Sequence, residues 1–378
     1  MVKAMEFLHI GILFFLVLLL LNLIQNLKRL KNQERVKLKE PMPLISVLIP
    51  ARNEEKNIEN CVTSLLRSEY PRLEIIVLDD NSNDRTYEIV KELSRHHRTL
   101  KIIKGKELPP GWNGKNWACH QLSQAAHGKW FVFTDADTTH RPQSVSLAFT
   151  AAQKRKSVFV TYIPGLPAKT WSEKLFYSII HFAFFVLLPF RVVNYSRNSR
   201  LAFGIGPFLF INREFYFSFG GHDSIKAAIV DDIALAKKVA ENKGKVSALD
   251  GTKVMDVRFY TCFKELWYGF SKNVYEAIGC APHYLTAILL SCYFLFIYPY
   301  FLLWETWESH QDLTVPLLMV GIISLIKIIL SLRFQTSIIF GLLHPFSVAL
   351  TFLILLNSFR ISVFKKKIEW KERLYPIE

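Results

Sequence analysis

The sequence predicts an α/β protein, a domain with a doubly wound and mainly parallel sheet set between apolar segments long enough to cross a bilayer. Three observations carry that prediction. Strand-like and helix-like stretches alternate from Leu44 to about Pro282, the order that builds parallel sheets. Apolar runs flank this region on both sides. Paired carboxylates, Asp79-Asp80 and Asp135-Ala136-Asp137, close two of the strand-like runs, at the sheet edge where open α/β folds hold their ligands.

The first apolar run, Met5 to Ile24, is long enough to span a membrane. It is followed by Asn26-Leu27-Lys28-Arg29 rather than a small-residue cleavage site, so a retained signal-anchor is expected. Residues 28–40 carry six Lys/Arg against two Glu, and only Lys3 precedes the run. The positive-inside bias therefore places the following domain in the cytoplasm. The chain divides into an anchor (1–27), a basic linker (28–43), the α/β domain (44–282), a C-terminal membrane region (283–357) and a basic tail (358–378).

Inside the α/β domain, Ile45 to Pro50 reads as a buried strand and Glu54 to Ser68 as an amphipathic helix. A second strand, Leu73 to Leu78, runs into Asp79-Asp80. A helix from Asn83 to Arg95, a strand from Leu100 to Ile103 and a helix from Asn116 to Ala126 follow, before the strand Trp130 to Thr134 delivers Asp135 and Asp137. Two carboxylates one residue apart form a hard, oxygen-rich site suited to Mg²⁺ or Mn²⁺ carrying a diphosphate, because these ions take one or two carboxylates plus phosphate oxygens and water.

After Pro282, candidate spans lie at Tyr284 to Leu303, Val315 to Leu332 and Ser337 to Leu356. Three crossings would leave the basic tail on the outer side, against the charge bias, unless the stretch with Gly341 and His344-Pro345 is re-entrant or the tail lies in the interface. The run Leu175 to Phe190 interrupts the α/β domain. It is expected to be an interfacial helix or the lining of an acceptor channel, since a crossing would separate Asp137 from Asp232.

Composition narrows the function. Hydrophobic residues make up 51% and aromatics 14% of 378 residues, which agrees with partial residence in lipid. The five cysteines show no C-x-x-C spacing and are expected to be reduced and structural. The net charge of +15 is concentrated beside the apolar runs, with no nucleic-acid recognition motif. Anionic lipid is the expected partner and nucleic acid is not.

The series Ser46-Val47-Leu48-Ile49-Pro50-Ala51-Arg52-Asn53-Glu54, Leu78-Asp79-Asp80-Asn81-Ser82-Asn83-Asp84, Asp135-Ala136-Asp137 and Val230-Asp231-Asp232 resembles the family 2 inverting glycosyltransferases of the GT-A fold. The inserts Leu108 to Trp117 and Gly269 to Asn273 narrow the resemblance to the membrane-bound enzymes that glycosylate carotenoid acids, the diaponeurosporenoate glycosyltransferases, with hopanoid-associated transferases near them. The resemblance implies roles. Pro50, Ala51, Arg52 and Glu54 would hold uracil and ribose, with Asp79 or Asp80 accepting from the uracil imide. Lys115 would neutralise a diphosphate oxygen, and Asp135 and Asp137 would hold the metal, either of them directly or through water. Asp232 would face the acceptor as base. Asp231, His222, Trp267 and Lys272 would lie on the acceptor side, although His222 better fits a turn-satisfying role. Lys264-Glu265-Leu266-Trp267 stands where processive relatives carry Q-x-x-R-W, which favours a single transfer over chain extrusion.

The expected function is transfer of one sugar, glucose, from a UDP-sugar to a lipophilic acceptor, a carotenoid carboxylic acid, with inversion. Other enzymes of a carotenoid pathway are candidate partners. Two alternatives stand beside it: a transferase acting on another lipid (hopanoid, diacylglycerol or polyprenyl phosphate) or a short processive synthase, and a non-catalytic membrane scaffold.

Overall fold

The computed structural model describes residues 2–30, 42–195, 199–260, 262–278, 282–365, 367–370 and 373–376. Most of the basic linker lies outside these residues. The chain opens with helix α1 (Val2–Leu30), then β1 (Ile45–Ala51), α2 (Ile58–Leu66), β2 (Leu73–Asp79), α3 (Thr86–His96), β3 (Leu100–Lys104), α4 (Gly114–Ala125), β4 (Trp130–Phe133) and β5 (Thr138–His140). It continues through α5 (Ser144–Arg155), β6 (Phe159–Gly165), α6 (Trp171–Phe182), a π-helical turn (Ala183–Leu187), α7 (Phe190–Tyr195), β7 (Leu209–Asn212), α8 (Arg213–Ser218), α9 (Asp231–Glu241), β8 (Val246–Val257) and α10 (Phe263–Ile278). The C-terminal region holds α11 (Pro282–Phe296), α12 (Tyr298–Glu308), α13 (Thr314–Phe334), α14 (Ile338–Leu342) and α15 (His344–Arg360), and ends in a small antiparallel pair, β9 (Lys367–Trp370) and β10 (Arg373–Pro376).

One eight-stranded sheet has the order β3-β2-β1-β4-β7-β6-β8-β5. Its first four strands are parallel, as the alternation implies. The sheet is mainly parallel, as expected, with β6 also parallel to β8; beyond β4 it is mixed, since β7 runs antiparallel to both β4 and β6 and β5 runs antiparallel to β8. Ile45, Val47, Ile49 and Ile75, Val77 point to one buried layer and Leu48, Ile76, Leu78 to the other, so β1 and β2 are apolar on both faces as a covered parallel sheet requires.

Two helices start later than the sequence suggests. Arg52 to Glu55 interlock with the loop after β2: the Asn53, Glu54 and Glu55 amides donate to Ser82 Oγ, Thr86 Oγ1 and Asp84 Oδ2. Residues committed to that interlock cannot also form a first helical turn, so α2 begins at Ile58 and α3 at Thr86. Asn53 and Asn81 sit at φ of 53° and 55°, a left-handed geometry that asparagine tolerates.

Helix α1, α13 and residues His344–Val363 are long and apolar enough to cross a membrane, and α11 with α12 forms a pair bent by 42°. The expected span Ser337 to Leu356 is corrected: it breaks into α14 and α15, because Pro345 occupies the start of α15, where its missing N–H costs nothing. The run Leu175 to Phe190 packs inside this bundle. Phe182, Phe185, Val186 and Phe190 share one apolar cluster with Ile12, Leu16 and Leu23 of α1 and with Ile323, Ile326 and Leu330 of α13. Since β6 and β7 are neighbours in the sheet, this segment leaves and re-enters the domain on one side.

Candidate active site

The register fixes the site. Ala51 lies opposite Asp79 across β1 and β2, whereas β4 ends at Phe133 opposite Leu48. The chain from Thr134 therefore turns across the carboxyl edge of β1, held by the Thr134 amide on Leu48 O at 3.1 Å and Thr134 Oγ1 on Pro207 O at 2.8 Å. Asp135 and Asp137 thus sit in a turn between β4 and β5 rather than on a strand end.

Lys115 is the hub. It follows Asn113, which caps α4 by accepting from the Lys115 amide. Its Nζ lies 2.9 Å from Asp135 Oδ1 and 3.3 Å from Asp231 Oδ2. Beside them, Asp232 Oδ2 accepts from the Gly206 amide at 2.7 Å and Oδ1 from the Ile233 amide at 2.8 Å. The glycines are a consequence of crowding. A Cβ on Gly206 would stand 2.9 Å from Asp135 Oδ2, and one on Gly204 2.4 Å from Asp232 O. One residue that the sequence reading passed over ties the parts together: buried Asn116 donates to Ile225 O, Lys226 O and Ala228 O at 2.9, 3.1 and 2.9 Å, fixing the approach to Asp231 against the helix that carries Lys115.

Electrostatics separate the four carboxylates. Burial, with Asp135 and then Glu54 nearby, pushes Asp137 up to about 7. Burial and the neighbouring Asp231 do the same to Asp232. Lys115 is held above its ordinary range by Asp135 and Asp231 in spite of its own burial. Tyr260, also desolvated and near Asp137, rises to about 12. It seats against Gly269 of α10, where an added Cβ would meet its ring at 2.0 Å.

Asp137 Oδ1 is buried with no hydrogen-bond partner, the condition expected of a ligand atom awaiting a cation. Among the described residues no group of three or more His, Cys, Asp or Glu gathers around a metal position. A pair of carboxylates still fits Mg²⁺ or Mn²⁺, whose remaining ligands come from phosphate and water.

The other expected residues divide. Pro50 and Ala51 close β1, and Arg52 Nη1 donates to Asp80 O and Asn81 O at 2.6 and 3.0 Å, tying the two loops at this edge. Asp79 and Asp80 are 5% and 3% exposed. The Ser82 amide donates to Asp79 Oδ1 at 3.4 Å. His222 is fully buried, with Nδ1 2.7 Å from Tyr216 Oη and its ring against Phe133, the internally satisfied setting of the turn reading. Trp267 and Lys272 lie on α10, with Trp267 packed on the cluster of Phe176, Tyr177, Leu266 and Ile354. The described cysteines, 61, 119, 262 and 292, are free thiols; Cys280 lies outside the described residues.

At the carboxylate-rich edge of this α/β sheet, Asp135 and Asp231 face a lysine. Residues 46–217 match the family described as "Glycosyl transferase family 2", and the chain is a glycosyltransferase. It resembles the 4,4'-diaponeurosporenoate glycosyltransferase of Staphylococcus haemolyticus (strain JCSC1435), 27% identical over 284 residues, 71% of each chain. It also resembles that of Staphylococcus aureus (strain USA300), 28% identical over 251 residues, 65% of each chain. Among solved structures, a mannosyltransferase from Pyrobaculum calidifontis in complex with GDP-Man and Mn²⁺ shares the fold, with TM-score 0.55, 18% identity, and coverage of 96% of this chain and 99% of that one. The family match ends before Asp231 and Asp232, whose place in the site rests on geometry.

Proposed function

We propose that this protein transfers a single sugar, glucose, from a UDP-sugar to a carotenoid carboxylic acid dissolved in the membrane, with inversion at the anomeric carbon. The observation that carries the reading is the Lys115 hub, with a polar edge on one side and Ile205, part of the membrane-helix apolar cluster, one residue from the Gly206 amide on the other. A water-soluble donor and an apolar acceptor can meet only at such a boundary. The names of the relatives supply the acceptor class, and the Pro50 to Glu54 and Asp79-Asp80 motifs supply the uridine.

In this reading Asp135 and Asp137 would hold Mg²⁺ or Mn²⁺, which would offset charge on the departing diphosphate. Lys115 neutralises a diphosphate oxygen. Asp232, fixed by two amides, orients the acceptor for in-line attack. The acceptor carboxylate oxygen forms the new bond to the anomeric carbon while the bond from that carbon to the diphosphate breaks. An acid with a reference pKa near ~4 arrives ionised, so no proton has to move. The domain faces the cytosol, anchored by the basic segments on anionic lipid.

The test is purified protein in detergent with UDP-glucose, Mn²⁺ and 4,4'-diaponeurosporenoate, read by mass spectrometry of the lipid fraction and by UDP release. A glucosyl ester is the expected product. UDP release with product only on a hopanoid, diacylglycerol or polyprenyl phosphate would reassign the acceptor, and no turnover with any of them would leave a scaffold. A reporter placed within residues 28–40 should read cytoplasm; an outward signal would remove the protein from its UDP-sugar supply.

A further inference from the structure

Lys327 lies in the apolar helix α13 and is 1% exposed. Its Nζ donates to Ser178 O at 2.9 Å and Ser178 Oγ at 2.5 Å, and its ammonium sits 5.5 Å from the Phe182 ring centre. Among the described residues no carboxylate pairs with it. Intramembrane lysines are rare and are paired or placed on substrate paths, because an unpaired ammonium in an apolar bundle is costly.

Two histidines share its surroundings. His344, fully buried, packs against Phe182 with ring centres 4.8 Å apart and against Phe296 at 5.5 Å, and neither of its ring nitrogens has a partner. His181 stacks on Phe334 at 4.2 Å, and its Nε2 has none. An ammonium has three N–H donors, of which Ser178 takes two. The cluster is therefore rich in donors and lacks an anionic acceptor.

Its location points along a route. Six residues further on, a distance of about 9 Å on a helix, Arg333 pairs with Asp250 of β8 at 2.5 Å. The apolar cluster around Lys327 also contains Ile205, next to the amide that holds Asp232. The backbone of the segment from α6 onward is gripped by polar side chains from the neighbouring helices: Asn26 donates to Phe185 O at 2.9 Å and Leu188 O at 2.8 Å, Asn22 to Val186 O at 2.7 Å, and Ser347 to Leu175 O at 3.1 Å. Non-helical backbone at membrane depth persists where it is buried in protein or lines a cavity. Each of those side chains has its carbonyl; Lys327 alone brings a charge.

We infer that Lys327, with His181 and His344, forms a staging site within the membrane bundle for the carboxylate head of the acceptor before it reaches Asp232. This rests on the proposed acid acceptor and goes beyond it by naming residues outside the catalytic domain. The site selects an anionic head from neutral lipid, and Ser178 Oγ yields its place on Nζ when the head arrives.

The experiment compares Lys327→Met and Lys327→Arg with the wild-type chain in phosphatidylcholine vesicles, using a long polyene carboxylic acid and the corresponding primary alcohol as acceptors. UDP affinity of each preparation establishes that the catalytic domain is folded. For Lys327→Met the acid KM should rise by at least about tenfold, as loss of a charge-assisted hydrogen bond implies, while the alcohol KM moves less than about twofold and Lys327→Arg restores most of the acid affinity. Equal changes with both acceptors, or none, would make Lys327 a strut and overturn the site. Repeating the series with phosphatidylglycerol in the vesicles distinguishes the other anion source: a phosphatidylglycerol effect that Lys327→Met abolishes, without acid selectivity, assigns the site to phospholipid and overturns the acceptor role. Failure of the wild-type chain to glycosylate the acid at all removes the functional reading and this site with it, an outcome separate from an unaltered mutant.

Discussion

The catalytic edge and the membrane bundle each bury charge, and they balance it in different ways. At the edge, Lys115 is flanked by Asp135 and Asp231 within 3.3 Å, so charge meets charge, and the two outlying carboxylates, Asp137 and Asp232, are those pushed up to about 7. In the bundle, Lys327 meets a carbonyl and a hydroxyl of Ser178 and the ring of Phe182, with no carboxylate among the described residues. The first arrangement concentrates negative charge at the sheet edge, as the proposed cation and diphosphate would require. The second holds one positive charge with neutral dipoles. The proposed roles, a soluble charged donor at one and a single charge from lipid at the other, would call for this difference.

The strongest test of the edge is Asp137→Ala. It removes a buried oxygen with no partner and little core volume, so the protein should remain folded and membrane-bound while transfer falls by at least about 10³-fold, the size of the several kcal/mol that a Lewis acid supplies. Mn²⁺-dependent UDP release measures it, and near wild-type turnover would show that no cation is held there.

Asp232→Asn sharpens the contrast by acceptor. Removing a positioned base costs about 10²–10⁴-fold when a hydroxyl must lose its proton, and an ionised acid has no such proton. The amide keeps the shape, so the loss should be large with an alcohol acceptor and much smaller with the acid. Equal collapse of both rates would mean that Asp232 acts through position or through the electrostatics of Asp231 and Lys115.

The smallest effect is on stability. The folded-state values of Asp137 and Asp232 lie above the ordinary carboxylate value, so the favourable, protonated condition is fully present at acid pH and is lost as pH rises through about 7. The melting midpoint of donor-free protein should fall by a few degrees from about pH 5 to about pH 7 and level off above it. Mn²⁺ should restore it at the upper end, and Asp137→Asn should flatten the slope. A midpoint that rises over this window would mean that these carboxylates are paired rather than strained.

Much of this was legible because it is local. The apolar runs, the strand that ends at Asp79 and the helix expected from Asn116 are written in short-range periodicity and composition, and the order of carboxylate motifs marked one sheet edge; Lys115, expected in the loop before that helix, lies in its first turn. The start of α2 was misplaced because Arg52 to Glu55 are engaged by a loop thirty residues away. The two glycines before His222 mark a turn, but its partners Tyr216 and Phe133 are set by packing and not by that local signal. Asn116 gave no signal, since its three carbonyl partners are more than a hundred residues distant.

The sequence by itself determined the partition into a lipid-borne and a water-borne part, the parallel half of the sheet and the chemical kind of its edge, because hydrophobic period, charge bias and strand-end carboxylates act over a few residues. The tertiary structure decided which carboxylates face the lysine, that β7 returns antiparallel, and that Leu175 to Phe190 is packed among α1 and α13 with its carbonyls held by Asn22, Asn26 and Lys327. Those outcomes depend on close packing and hydrogen-bond satisfaction between segments far apart in the chain, which no local pattern encodes.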